Sequence, residues 1–151
     1  MKAFKKLIVS LVAVSAVSLS FNLAAEEDID KLVEQRQELM GSFKDNTKAI
    51  SKMLKGEEAY SADKIKAVAA DLHKAANSDI IAMFPEDSTS PDSDALDEIW
   101  MDFTTFESRL ADFRKAADAL NAANHSDKAA VGMAMKDIGA SCKGCHKSFK
   151  N

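Results

Sequence analysis

Four stretches of this chain carry apolar residues at steps of three and four, and that spacing leaves little choice of fold. The first runs from about Asp28 to Lys55, with Ile29, Leu32, Arg36, Met40, Phe43, Thr47, Ile50 and Leu54 on one stripe. The second begins at a Ser61 cap and runs to about Met83 through Ile65, Val68, Leu72, Ala76 and Ile80. The third, capped by Asp94 with Asp97 in its first turn, carries Leu96, Ile99, Trp100, Phe103, Phe106, Leu110, Phe113, Ala117 and Leu120. The fourth, capped by Ser126, carries Val131, Met135, Ile138, Cys142, Cys145 and Phe149. Lys55-Gly56-Glu57, the break at Phe84-Pro85 with its polar continuation to Pro91, and Asn121 to Asn124 separate them. A helix with one apolar stripe must bury it against another element, and short connections make neighbours antiparallel. The expected fold is all-α, an antiparallel up-down-up-down four-helix bundle. Five glycines, two prolines and one tyrosine agree with that class.

The fourth stripe runs through Cys142-Lys143-Gly144-Cys145-His146, a C-x-x-C-H pattern. Two thiols at this spacing can each join one vinyl group of a haem, and the imidazole that follows can ligate the iron. Competing uses fit less well. A thioredoxin-like redox pair belongs beside a βαβ pattern, and no such pattern is visible. A structural zinc needs four ligands, and His73 and His125 have no ligand spacing to the motif. A plain disulfide leaves His146 unexplained. These are the chain's two cysteines, so no disulfide framework holds the fold. The expected cofactor is one covalent haem c.

The N-terminus reads as an export signal over residues 1–25, leaving a haem-binding bundle over 26–151. Lys2, Lys5 and Lys6 form a basic start, Leu7 to Phe21 an apolar run, and Leu23-Ala24-Ala25 a cleavage boundary before Glu26-Glu27-Asp28. The apolar run is short for a membrane span of about 20 residues. An exported chain with C-x-x-C-H suits a periplasm. Removing three of 20 basic residues leaves 17 against 24 acids, a charge of about −7, which argues against a nucleic-acid partner. Lys143, Lys147 and Lys150 either complement a helix dipole or form a basic rim for acidic redox partners.

The bundle topology brings distant residues to one tip. Arg36 and Met40 lie near the start of the first helix, Met83 and Phe84 at the end of the second. Trp100 lies near the start of the third, and the motif near the end of the fourth. Arg36 sits on the apolar stripe, where a buried guanidinium is costly unless paired. Its head either snorkels to water or meets a haem propionate. Met40 follows one turn later on the same face, as a thioether ligand for iron or as a core filler. Met53, Met83, Met101, Met133 and Met135 read as core or surface residues.

Arg36-Gln37-Glu38-Leu39-Met40, Leu54-Lys55-Gly56-Glu57, Phe84-Pro85, Ile99-Trp100 and Cys142 to His146 follow one another in an order that resembles class II cytochromes c, the cytochrome c prime family. The resemblance spans nearly all of the chain after residue 25. It implies a covalent haem, His146 as proximal ligand and Arg36 near a propionate. It also implies that a second copy is an expected partner, through the first two helices. The loop from Phe84-Pro85 to Trp100 departs from the family in being rich in acids and serines. The family divides over the sixth position of the iron. One branch carries a methionine there and moves electrons between redox partner proteins. The other leaves it open and binds nitric oxide or carbon monoxide. No catalytic acid–base pair or nucleophile stands out, so an enzyme is not expected.

Overall fold

The structure is a computed structural model that describes residues 15–151, with side chains described from residue 28. Helix α1 spans Ser15–Lys55, α2 Ala62–Ala76, α3 Glu98–Met101, α4 Phe103–Ala122 and α5 Lys128–Phe149, with a 3₁₀ turn at Ile81–Met83. The four long helices form the antiparallel bundle. Helix α1 begins 13 residues before the expected start at residue 28 and runs through residue 25 without a break. The basic start of the expected export signal lies outside the described residues. Among those described, no helix is long and apolar enough to cross a membrane.

The chain ends α1 by a glycine device. Gly56 adopts φ 80°, open to a residue without a Cβ. The Glu57 amide then donates to the Lys52 carbonyl at 2.9 Å and the Gly56 amide to Met53 at 3.3 Å, satisfying carbonyls the helix cannot pair itself. Ser61 caps α2 as expected, its side chain accepting from the Lys64 amide.

Three boundaries differ from the sequence reading. Helix α2 stops at Ala76, not Met83, because the Asn77 side chain donates to the His73 carbonyl and Arg114 of α4 donates to the carbonyls of Ala76 and Ser78. The cap of the third helix is not Asp94, which pairs with Lys150 Nζ at 2.8 Å. The region is divided instead, because Asp102 leaves helical geometry and accepts from the Thr105 amide to start α4. Asp127, not Ser126, caps α5, accepting from the amides of Ala129 and Ala130.

The core is the union of the four stripes. Ile50, Ile65, Leu72, Ile80, Leu120, Val131 and Ile138 are fully buried, each contributing about 1.5–3 kcal/mol of apolar burial. On α1 the buried line is Val33, Arg36, Phe43, Ile50 and Met53. Leu32 and Leu54, expected on it, are only half-buried. At one end of the bundle Tyr60 donates to the His125 carbonyl at 2.8 Å, joining the α1–α2 and α4–α5 connections. His125 is accordingly half-buried, not in open solvent. At the other end the α2–α4 connection meets the end of α5. The Leu96 amide donates to the Phe149 carbonyl, and the Asn151 amide to Asp94. Helix α5 packs closely on α4 and only sparsely on α1.

Candidate haem site

The tip where the α2–α4 connection meets α5 is built on aromatic rings. Phe106 of α4 lies 4.9 Å from Phe84, 5.8 Å from Phe103 and 5.6 Å from Phe149, ring centre to ring centre. Such pairs contribute about 0.5–1.5 kcal/mol beyond their buried area. Phe149 thereby pins the turn of α5 that follows the C-x-x-C-H motif.

Arg36 is the unusual member of this tip. It is 4% exposed, so its head does not snorkel to water. Nε donates to the Met83 carbonyl at 2.6 Å and Nη1 to the Ser88 carbonyl at 2.9 Å. Nη2 donates to Ser88 Oγ. The guanidinium carbon stands 4.4 Å from the Phe84 ring centre and 5.8 Å from that of Trp100. Among the described residues no carboxylate comes within ion-pair distance of Arg36. Burial pushes its pKa down, since a desolvated cation is disfavoured, yet guanidinium stays protonated in proteins. A buried positive charge held by neutral acceptors and ring faces is costly without a counter-charge.

Trp100 stands over the same guanidinium and is half-buried, its indole N–H donating to the Pro85 carbonyl at 2.7 Å. Met40, one turn beyond Arg36, is 40% exposed. That exposure sets aside the reading of Met40 as a core filler.

Cys142 and Cys145 are free, half-buried thiols packed against the main core. Burial raises both pKa values; for Cys145 the neighbouring Cys142 adds to the rise and Arg109 opposes it. Both thiols therefore hold their protons at neutral pH. Arg109 reaches over the motif from α4, where a Cβ on Gly144 would stand 3.9 Å from its Nη1. A groove of about 410 Å³ runs between α4 and α5 there, lined by Arg109, Asp112, Lys115, Asp137, Ser141 and Gly144. It is distinct from the aromatic tip. His146 is exposed on α5. Burial of its ring first, and the Lys150 charge second, lower its pKa, favouring the neutral imidazole that binds metals.

The structure thus joins Arg36 to Trp100 directly and, through Phe84, Phe106 and Phe149, to the end of the helix that carries the motif. Sequence reasoning missed Ser88. It read as one polar loop residue among many and is 2% exposed. No periodic signal marks such a residue.

Residues 31–150 match the family model described as Cytochrome C'. The chain belongs to the cytochrome c' family. Cytochrome c' of Rhodospirillum rubrum is 32% identical over 145 residues, covering 93% of this chain and 95% of that protein. Cytochrome c-554 of Cereibacter sphaeroides is 29% identical over 147 residues, covering 91% and 96%. Among solved structures, cytochrome c prime from Shewanella frigidimarina superposes with a TM-score of 0.76 at 28% identity, covering 82% of this chain and 96% of that one. A nitric oxide complex of a variant of cytochrome c prime from Alcaligenes xylosoxidans superposes with a TM-score of 0.74 at 27% identity, covering 82% and 96%. The chain is accordingly a haem protein of this family.

The donor set fits that group. Two protonated thiols three residues apart on one helix, a neutral imidazole beside them and a buried cation with no counter-ion among the described residues match its vinyl, iron and carboxylate functions.

Proposed function

We propose that this protein is a periplasmic c-type electron carrier with one covalent haem c per chain. Cys142 and Cys145 would hold the haem by thioether bonds, His146 would be the proximal ligand and Met40 the sixth ligand. Arg36 would hold a propionate, and Trp100 would contact the haem. When bound, haem supplies a one-electron couple at its iron. The protein's part is to fix the ligands and to set the polarity around them. Neutral His146 offers a lone pair without first losing a proton. Arg36 offers a desolvated charge, where an ion pair is stronger than in water. The aromatic tip keeps water from that pair.

The observation that carries this reading is Arg36: a nine-tenths buried cation, with no acidic partner among the described residues, at the same tip as the C-x-x-C-H helix end. For Met40, the supporting observation is its 40% exposure one turn further along. A second reading is a gas binder with only His146 on the iron. The nitric oxide complexes among the structural relatives favour it. Absorption spectra of the oxidised and reduced protein separate the two. The carrier shows an iron–methionine charge-transfer band that Met40→Ala removes. The gas binder shows a high-spin spectrum that Met40→Ala leaves unchanged, with ready nitric oxide binding. The export signal over residues 1–25 is tested by the N-terminal sequence of protein recovered from a periplasmic fraction. A cut close to Ala25 is expected.

A further inference from the structure

We propose that Ser88 is the positioning residue that aims Arg36. The inference rests on the reading of Arg36 as the side chain that meets a haem propionate, and adds the residue that orients it.

Ser88 is 2% exposed, while Asp87 and Thr89 on either side are exposed. A hydroxyl taken out of water costs free energy unless it is bonded. This one is bonded twice. Oγ donates to the Pro85 carbonyl at 2.7 Å and accepts from Arg36 Nη2. The Ser88 carbonyl accepts from Nη1. One residue therefore takes a hydrogen bond from each terminal nitrogen of the guanidinium.

The backbone turns sharply to allow this. Asp87 has φ 58°, the left-handed region that costs a non-glycine residue about 1–2 kcal/mol. A loop that accepts such a residue beside a buried serine is held by that serine's bonds. The Pro85 carbonyl also accepts from the Trp100 indole, so the Ser88 hydroxyl and Trp100 share one acceptor. The hydroxyl thus couples Arg36 to Trp100, the other side chain at this tip read as contacting the haem.

The donor count shows what this leaves free. A guanidinium has five N–H groups. Three are used, one on each nitrogen, by Met83 and Ser88. Two remain, one on each terminal nitrogen, and a carboxylate oxygen can accept from either. Ser88 fixes the nitrogens and so fixes the direction of the two spare donors. Without its hydroxyl, Nη2 loses its acceptor inside the protein and the fork turns to find another.

The test is the midpoint potential of the haem-loaded protein in six forms: wild type, Arg36→Leu, Ser88→Ala, the double variant, Ser90→Ala and Ser88→Thr. A held positive charge disfavours the more positive oxidised iron. Arg36→Leu is therefore expected to lower the potential. Ser88→Ala lowers it by part of that shift, and adds nothing once Arg36 is Leu. Ser90→Ala leaves it unchanged, since the Ser90 hydroxyl serves only the Asp92 amide. Ser88→Thr, which keeps the hydroxyl, restores the potential. Hydrogen exchange at Arg36 Nε gives a second readout, and Ser88→Ala speeds it. Should Ser88→Ala fail to fold, Ser88→Gly takes its place. A shift with Arg36→Leu but none with Ser88→Ala overturns the role of Ser88 alone. An equal Ser88→Ala shift with and without Arg36 overturns it too. No shift with Arg36→Leu overturns the propionate reading itself.

Discussion

Arg36→Met sets two large effects against each other, and the structure says which wins. The substitution removes three hydrogen bonds from a charged donor, at Met83 and twice at Ser88. At about 1.5 kcal/mol each they sum to about 4–5 kcal/mol. The contacts with the Phe84 and Trp100 rings add about 0.5–1 kcal/mol each. Against that stands the desolvation of an unpaired cation, several kcal/mol and here taken as about 4. The thioether stem recovers part of the packing. The balance is a loss of about 2 kcal/mol, because the buried Ser88 carbonyl loses its donor in the change. Urea unfolding of the haem-free protein, in which Arg36 has no propionate to meet, followed by far-ultraviolet circular dichroism, measures it. The near-ultraviolet signal of Trp100, the sole tryptophan, reports the loosened connection at residues 83–88. A variant more stable than wild type, with an unchanged Trp100 signal, would refute the reasoning. It would mean that the cost of the buried charge exceeds everything the loop gives back.

Three further outcomes are expected. Phe149→Ala, which empties a 5% exposed site against Phe106, costs about 3–5 kcal/mol by urea unfolding; a cost under about 1 kcal/mol would show that Phe149 does not pin the end of α5. In haem-free protein, alkylation of Cys142 and Cys145 by iodoacetamide sets in at higher pH than for a free thiol, because burial raises both pKa values. A raised folded pKa means stability present below the unfolded value and lost as pH rises through the folded one, so the haem-free chain weakens at alkaline pH. Arg109→Ala moves the onset for Cys145 further up, since Arg109 opposes that rise; an unchanged onset contradicts the assignment.

The sequence carried the helices well and their ends poorly. Ile65, Leu72, Phe106, Phe113, Val131 and Ile138 are buried where a period near 3.6 places them, because burial of a stripe is a sum over many residues. A boundary is decided by a few bonds, often from elsewhere. Arg114, one helix away, closes the end of α2 by donating to Ala76 and Ser78. Asp94 has the chemistry of a cap but finds Lys150 at the other end of the sequence. Ser126 and Asp127 are adjacent candidates for one cap, and only the backbone path selects Asp127. The same limit applies at the site. Arg36 stood out because it broke an apolar stripe, whereas the loop that receives it offered no pattern. Its acceptors are mostly backbone carbonyls, which every residue has. Ser88 joins them through the left-handed turn at Asp87, a conformation that composition does not announce.

The mass of the intact protein, made in a host that matures c-type cytochromes, tests the central claim most directly. The account predicts one haem per chain, retained after acid denaturation and organic extraction, with Cys142 and Cys145 closed to iodoacetamide. A colourless chain of unmodified mass, with both thiols alkylated, would contradict it.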